Sequence, residues 1–374
     1  MSDRASPRAP LSLDMARGLG ACLVLYSYVV ALRPDELGSQ LTVVGTVRAW
    51  LNRPLGIGED FGFFGLALLL VAGGYLAAAA AAESGVRGVL GRLLAVYPPF
   101  AFAVTVAALL SQLGAPTLSV PRDAEAGLSD WLASLALLGN VRASSVVLLE
   151  LSWITAAEVL FVLCTALLAP VLRRAPWAPV VVKLLVVAVV VASGTEASGV
   201  HRGLTLVVLY TSFLLVGELA WAVRAGRLPT WAGVLLGCSS WLCLAWAERK
   251  YRELFGWWNA LALFYAAIVF VLMVRFWGGR RSGRATGWLA DRAYALVFLQ
   301  GTVGWAVLDL LHRLVPVELA VPLALLSTVG VAEISHWLVE RPAGRLARRL
   351  SGSTSGGGWT PDDDDTVVLR AVRT

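Results

Sequence analysis

Apolar residues in this chain come in long continuous stretches, not in the alternating or every-third-residue patterns of soluble folds. Gly18–Leu32, Phe61–Ala82, Ala101–Leu110, Val180–Ala192 and Trp257–Val274 are the clearest. A stretch of about 20 such residues matches the helical span of a bilayer core. The pattern predicts ten spans, near 13–32, 61–82, 92–113, 151–172, 178–193, 203–223, 230–247, 257–277, 288–311 and 315–338. Continuous rather than alternating hydrophobicity excludes a membrane β-barrel. The expected fold is therefore all-α, a polytopic integral membrane protein of about ten transmembrane helices. Between the third and fourth spans, Trp131–Leu138 and Val146–Leu149 are apolar but too short to cross, and are expected at the membrane interface. Residues 1–12 read as an N-terminal tail and 13–350 as the transmembrane domain. The segment 351–374, with its Gly/Ser run and Asp362–Asp365, reads as a disordered tail.

Composition agrees. Of 374 residues 58% are hydrophobic and 15% charged, against about 25% charged in soluble domains. The charge balance of +6 does not point to nucleic acid once the membrane spans are recognised. An even number of spans puts both termini on one side, and that side holds 17 Lys and Arg residues against 10 on the other. This bias predicts a multi-pass plasma-membrane protein with both ends cytoplasmic. Cys22, Cys164, Cys238 and Cys243 all lie in apolar segments and read as buried free thiols. No set of metal ligands is evident, and no metal is expected. The basic leader is followed by Arg33-Pro34-Asp35 where a secretory signal would have a small-residue cleavage site, so the first helix is expected to remain.

Charges inside spans are costly and need a reason. Asp14 and Arg17 sit three apart, on one helix face, at the start of the first span. They read either as an anchoring pair or as a cationic site for an anionic ligand. Glu158 falls within Leu151–Phe161 and must pair, protonate or line a wet cavity. It is either a site residue or the structural partner of an arginine. Glu218 and Glu333 read as structural.

Several stretches together resemble one family, the membrane acyltransferases of acyltransferase family 3. Leu13-Asp14-Met15-Ala16-Arg17-Gly18 is similar to its opening L-D-x-x-R-G helix. Gly65–Leu76, ending Gly73-Gly74-Tyr75-Leu76, resembles G-V-x-L-F-F-V-L-S-G-Y-L. Arg92-Leu93-Leu94-Ala95-Val96-Tyr97-Pro98 resembles R-L-x-R-I-Y-P. Ser152-Trp153 with Glu158 and Phe161 resembles W-S-L-x-x-E-x-x-F. Asp291–Gln300 is similar to S-Y-x-L-Y-L-x-H, and Ser335–Pro342 to Y-x-x-V-E-R-P. The likeness covers about residues 10–350 and rests on the order and spacing of these elements.

The resemblance implies transfer of an acyl group, usually acetyl, from acyl-CoA to a hydroxyl of a cell-surface glycan or secreted metabolite, with membrane lipid around the protein and no bound cofactor. It implies that Arg17 and Arg92 hold the CoA phosphates. Asp14, Tyr97, Trp153 and Gln300 would line the substrate site, and Glu158 the reaction chamber. The family's usual catalytic histidine follows the motif arginine by eleven residues, and there this chain has Tyr28, a poor base at neutral pH. Gln300 stands at the later histidine, and Ala95 at the second arginine of R-x-x-R. Two alternatives stay open: a catalytically inactive member acting in binding, scaffolding or export, and a small-molecule transporter. His201 and His312 read as solvated or interfacial, His336 as packing.

Overall fold

The computed structural model describes residues 10–39, 41–120, 126–140, 146–193, 199–251 and 258–350. The 351–374 tail and most of the 1–12 segment lie outside these residues. The described residues are mostly helical and form no strand. Eight of its helices are long and apolar enough to cross a membrane, and two shorter apolar ones fall at the fourth and fifth predicted spans.

The principal helices are α1 (Leu11–Leu25), α2 (Gly62–Ser84), α3 (Val86–Gln112), α4 (Leu128–Leu135), α5 (Ser152–Leu167), α6 (Trp177–Ser193), α7 (Gly199–Arg224), α8 (Thr230–Lys250), α9 (Asn259–Trp277), α10 (Arg284–Asp291), α11 (Ala293–Leu299), α12 (Trp305–Leu311), α13 (Val317–Ser335) and α14 (Arg341–Leu350). The end of the bundle at which α1 begins is called the near end, and the opposite one the far end.

Burial separates centre from rim. In the most apolar windows of α2 and α7, 67% and 78% of residues are buried, against 17% for α8. The central pair packs through glycines, as expected where lipid offers no hydrophobic drive and close contact must hold the helices together. A side chain at Gly74 would enter the Leu214 backbone, and one at Gly217 the Val71 backbone. Between α1 and α2, Gly20 and Gly65 make the same close approach.

Four expectations need correction. The fourth span does not run to 172: α5 stops at Leu167, before Pro170, and a short separate helix, Ala169–Arg174, follows. The ninth does not start at 288: the helix breaks at Arg292 (φ −106°, ψ 3°), so α10 is separate and the span begins at Ala293. The connection after α3 is not confined to the interface. It turns back along α3, where Trp131 Nε1 donates to Thr105 Oγ1 at 3.3 Å and Tyr97 Oη to the Leu135 carbonyl at 2.7 Å. Leu148 and Leu149 are buried, and the Leu118 N–H donates to the Gly301 carbonyl at 2.8 Å. Irregular backbone is tolerated at such depth because protein covers it. The cysteines are free, but Cys22 and Cys238 lie exposed on the bundle surface, a face that in a bilayer meets lipid.

Four helical stretches among the described residues pass through π-turns without stopping, and two of these turns meet in the bundle. α1 continues into a π-turn, Tyr26–Leu32, and α11 passes through another, Gln300–Gly304, before α12. The two π-turns pack against each other. Such local changes of pitch re-aim side chains and often mark functional positions.

Candidate functional site

Arg92, in the second turn of α3, and Glu158, in the second turn of α5, are 66 residues apart and both buried. Burying either charge alone would be prohibitive, so they pair: Arg92 Nη2 donates to Glu158 Oε1 at 2.5 Å. Tyr294, from the first turn of α11, completes the cluster. Its hydroxyl accepts from Arg92 Nη2 at 2.5 Å and lies 2.8 Å from both carboxylate oxygens, donating to one.

Gly73 of α2 makes room for this centre. A Cβ there would come within 2.9 Å of Glu158 Oε1. Arg17 of α1 approaches from the near end, its guanidinium carbon 5.9 Å from the Tyr294 ring centroid, on a ring that also carries Arg92 at 5.4 Å. Arg17 keeps more exposure than Arg92 and lies 4.0 Å from Asp14. The Nε atoms of both arginines are buried without a hydrogen-bond partner among the described residues. The cluster thus holds two guanidinium groups, two carboxylates and one phenol, drawn from four helices, with a fifth approaching within contact distance.

The other residues singled out from sequence lie apart from this centre. Tyr28 is eleven residues beyond Arg17 on the same helix, roughly 15 Å further, in the first π-turn. It lies within electrostatic reach of Glu150, Asp60 and Tyr210. Trp153 stacks on Tyr210 with centroids 3.8 Å apart. Tyr97 spends its hydroxyl on Leu135 at the periphery. Gln300 opens the second π-turn, fully buried, with neither amide atom hydrogen-bonded among the described residues. Arg17, Arg92, Glu158 and Asp14 therefore gather in one group, and Tyr28 and Gln300 sit on a pair of touching π-turns toward the far end.

No described histidine joins either group. His312 Nδ1 lies 2.6 Å from the Asp309 carbonyl, His336 Nδ1 lies 3.4 Å from Glu340, and the side chain of His201 is outside the described residues. Glu333 is held by Arg292, with Arg292 Nη2 2.7 Å from Glu333 Oε1. Glu218 is held by Lys183 at 2.6 Å.

Two residues of the inner architecture escape sequence reasoning. Tyr294 was only a letter within a longer motif, although it bridges both arginines and the glutamate. Lys183 draws no attention in the sequence, although it neutralises Glu218. Neither pairing has a local signature, since the partners are far apart in sequence. Searches against protein-family models, characterised proteins and solved structures return no match to the chain.

Proposed function

We propose that this chain is a membrane acyltransferase-type protein of the plasma membrane, with both termini cytoplasmic. It takes an acyl group, acetyl in the simplest case, from acyl-CoA at the near end and passes it to a hydroxyl of a cell-surface glycan or secreted metabolite. One observation carries this reading. Five segments that resemble acyltransferase family 3, contributing Arg17, Gly73, Arg92, Glu158 and Tyr294, meet in one cluster, with Gly73, Arg92 and Tyr294 at the Glu158 carboxylate and Arg17 against the Tyr294 ring, although they span most of the chain. Their convergence supports the reading.

In this reading Arg17, the less enclosed guanidinium, meets the CoA phosphates. Arg92 and Tyr294 fix the Glu158 carboxylate. The acceptor hydroxyl oxygen forms the new C–O bond at the thioester carbonyl, the C–S bond breaks, and the hydroxyl proton ends on the CoA sulfur. Tyr28 occupies the position from which the family's base would act.

A second reading, a non-catalytic member used for binding, scaffolding or export, is favoured by a specific feature. The Glu158 carboxylate is already engaged by Arg92 and Tyr294, and a tyrosine with an ordinary pKa near 10 is a weak base. Equilibrium dialysis of the purified full-length protein with labelled acetyl-CoA separates the possibilities. Binding is expected, and Arg17→Ala is expected to abolish it; absence of binding by the wild type would sink the enzyme reading. Turnover by the wild type supports the enzyme, whereas turnover that appears only in Tyr28→His supports the non-catalytic reading.

A further inference from the structure

The last helix carries charge that the Glu158 cluster does not use. Val317–Arg349 forms one helical run of 33 residues, in which α13 passes through a further π-turn, His336–Glu340, into α14. About 20 residues suffice to cross the hydrocarbon, so roughly a dozen remain beyond it. The apolar sequence ends at Val339, and α14 follows with four arginines, Arg341, Arg345, Arg348 and Arg349. A Cβ at Gly91 of α3, one residue before the third predicted span, would stand 3.7 Å from the Ala347 Cβ. Both helices therefore turn from apolar to basic at one level, the membrane–water boundary of the near end.

At α-helical pitch the four arginines fall within an arc of about 100°. Ala343 and Ala347 fall on the opposite side, which meets α3. α14 contains no Asp or Glu. The carboxylate just before it, Glu340, is turned to its own helix, where it accepts from Ser335 Oγ at 3.0 Å and lies 3.4 Å from His336 Nδ1. Arg345, Arg348 and Arg349 are exposed, and exposed Arg87, one turn before Gly91 on α3, extends the basic face. Arginines three and four apart repel one another, and no packing demand places them here, since the stripe faces away from the bundle. Negative charge supplied from outside offsets that repulsion.

The surroundings of the stripe select the kind of anion. Ile334, Trp337, Leu338 and Leu346 stand exposed beside it. Arg341 stacks on the Trp337 ring, its guanidinium carbon 3.4 Å from the centroid. Tryptophan and arginine together at the end of an apolar run suit the headgroup level of a leaflet. A soluble phosphate would meet the arginines and leave the tryptophan and leucines in water. A phospholipid meets both.

We propose that α14 is a binding site for anionic phospholipids of the near-end leaflet, in which lipid phosphates sit on the arginine stripe and acyl chains cover Trp337, Leu338 and Leu346. The inference needs only that the bundle spans a bilayer, and it does not rest on acyl transfer.

The test titrates purified full-length protein, in an uncharged detergent, with dioctanoyl phosphatidylglycerol or dioctanoyl phosphatidylcholine, and counts bound lipid by native mass spectrometry. The two share acyl chains and differ in net charge. Phosphatidylglycerol is expected to bind saturably, about tenfold or more tighter than phosphatidylcholine. Arg345→Gln combined with Arg349→Gln should remove that preference, at roughly fivefold per arginine. Arg313→Gln, at an exposed arginine of the far end, should leave it intact. Glycerophosphoglycerol, the same headgroup without chains, should not compete at equal concentration. Equal affinity for the two lipids, an equal loss in Arg313→Gln, or competition by the chainless headgroup would overturn the site. So would phosphatidylglycerol binding that appears only when Asp362→Asn, Asp363→Asn, Asp364→Asn and Asp365→Asn are combined, because the chain's own acidic run would then be the occupant. Acetyl-CoA affinity should be unchanged in the Arg345→Gln, Arg349→Gln protein, and its loss there would assign the stripe to acyl-CoA instead.

Discussion

Among the described residues two ion pairs are buried on both sides, and they differ in their surroundings. Arg92 and Glu158 sit within a cluster in which Tyr294 bonds both and Arg17 and Asp14 lie beyond. Lys183 and Glu218 sit among apolar side chains. Lys183 Nζ donates to Glu218 Oε2 at 2.6 Å and Thr165 Oγ1 at 2.7 Å, and lies 4.0 Å from the Phe161 ring. The carboxylate of the first pair is fully engaged, whereas Glu218 Oε1 has no partner among the described residues. A charge inside the membrane is a reason to suspect function, but the contrast shows that burial alone does not define a site. What distinguishes Arg92–Glu158 is the number of separated chain segments that converge on it.

The largest expected effect tests the first pair. Arg92→Ala should strand the Glu158 carboxylate and cost on the order of 3–5 kcal/mol in a thermal or denaturant melt. Adding Glu158→Gln should recover much of that loss. An Arg92→Ala protein as stable as the wild type would show that the pair does not hold the helices.

The second pair should answer differently. Lys183→Met alone should destabilise by a similar amount, but Lys183→Met with Glu218→Leu should be neutral or stabilising, up to roughly 1–4 kcal/mol. Acetyl-CoA binding should be unchanged in the double variant. Loss of binding there would erase the distinction and make both pairs one site.

A smaller effect probes the room around Glu158. The Cβ of Gly73→Ala would press on Glu158 Oε1 at 2.9 Å and on Leu214 Cδ2 at 3.3 Å. The expected loss is about 1–3 kcal/mol, with acetyl-CoA affinity falling alongside. At Gly330, where a side chain meets open space, alanine should leave affinity as it is.

The smallest effect concerns Glu150 and pH. Its carboxyl is raised from the ordinary 4.5, first by burial and then by Glu36. The folded state therefore holds this proton more tightly than the unfolded one. The resulting stability is complete below pH 4.5 and fades as pH rises through the folded value. Glu150→Gln should melt slightly higher than the wild type at pH 7, with the gap closing toward pH 4. An equal gap at both pH values would mean that the carboxyl is not perturbed.

The sequence by itself determined the class of fold. Continuous apolar runs are long enough to be read without a partner, and the helices fall at the predicted spans to within a few residues for most of them. Asp14, Arg17 and Glu158 were legible because charge within such a run is rare, Arg92 only through the motif it shares with a family, and these four do gather. Tertiary structure alone decided the rest. In a bilayer both the buried and the lipid-facing sides of a helix are apolar, so hydropathy cannot tell which way Cys22 or Cys238 faces. The break after Leu167 carries a local signal in Pro170, whereas the break at Arg292, whose side chain pairs with Glu333 41 residues away, has no local signature. Lys183 and Glu218, or Tyr294 and Glu158 (136 residues apart), share no spacing that a sequence could advertise. A partner is chosen when helices pack, and only the packed bundle sets the Glu158 carboxylate against Arg92 and Tyr294.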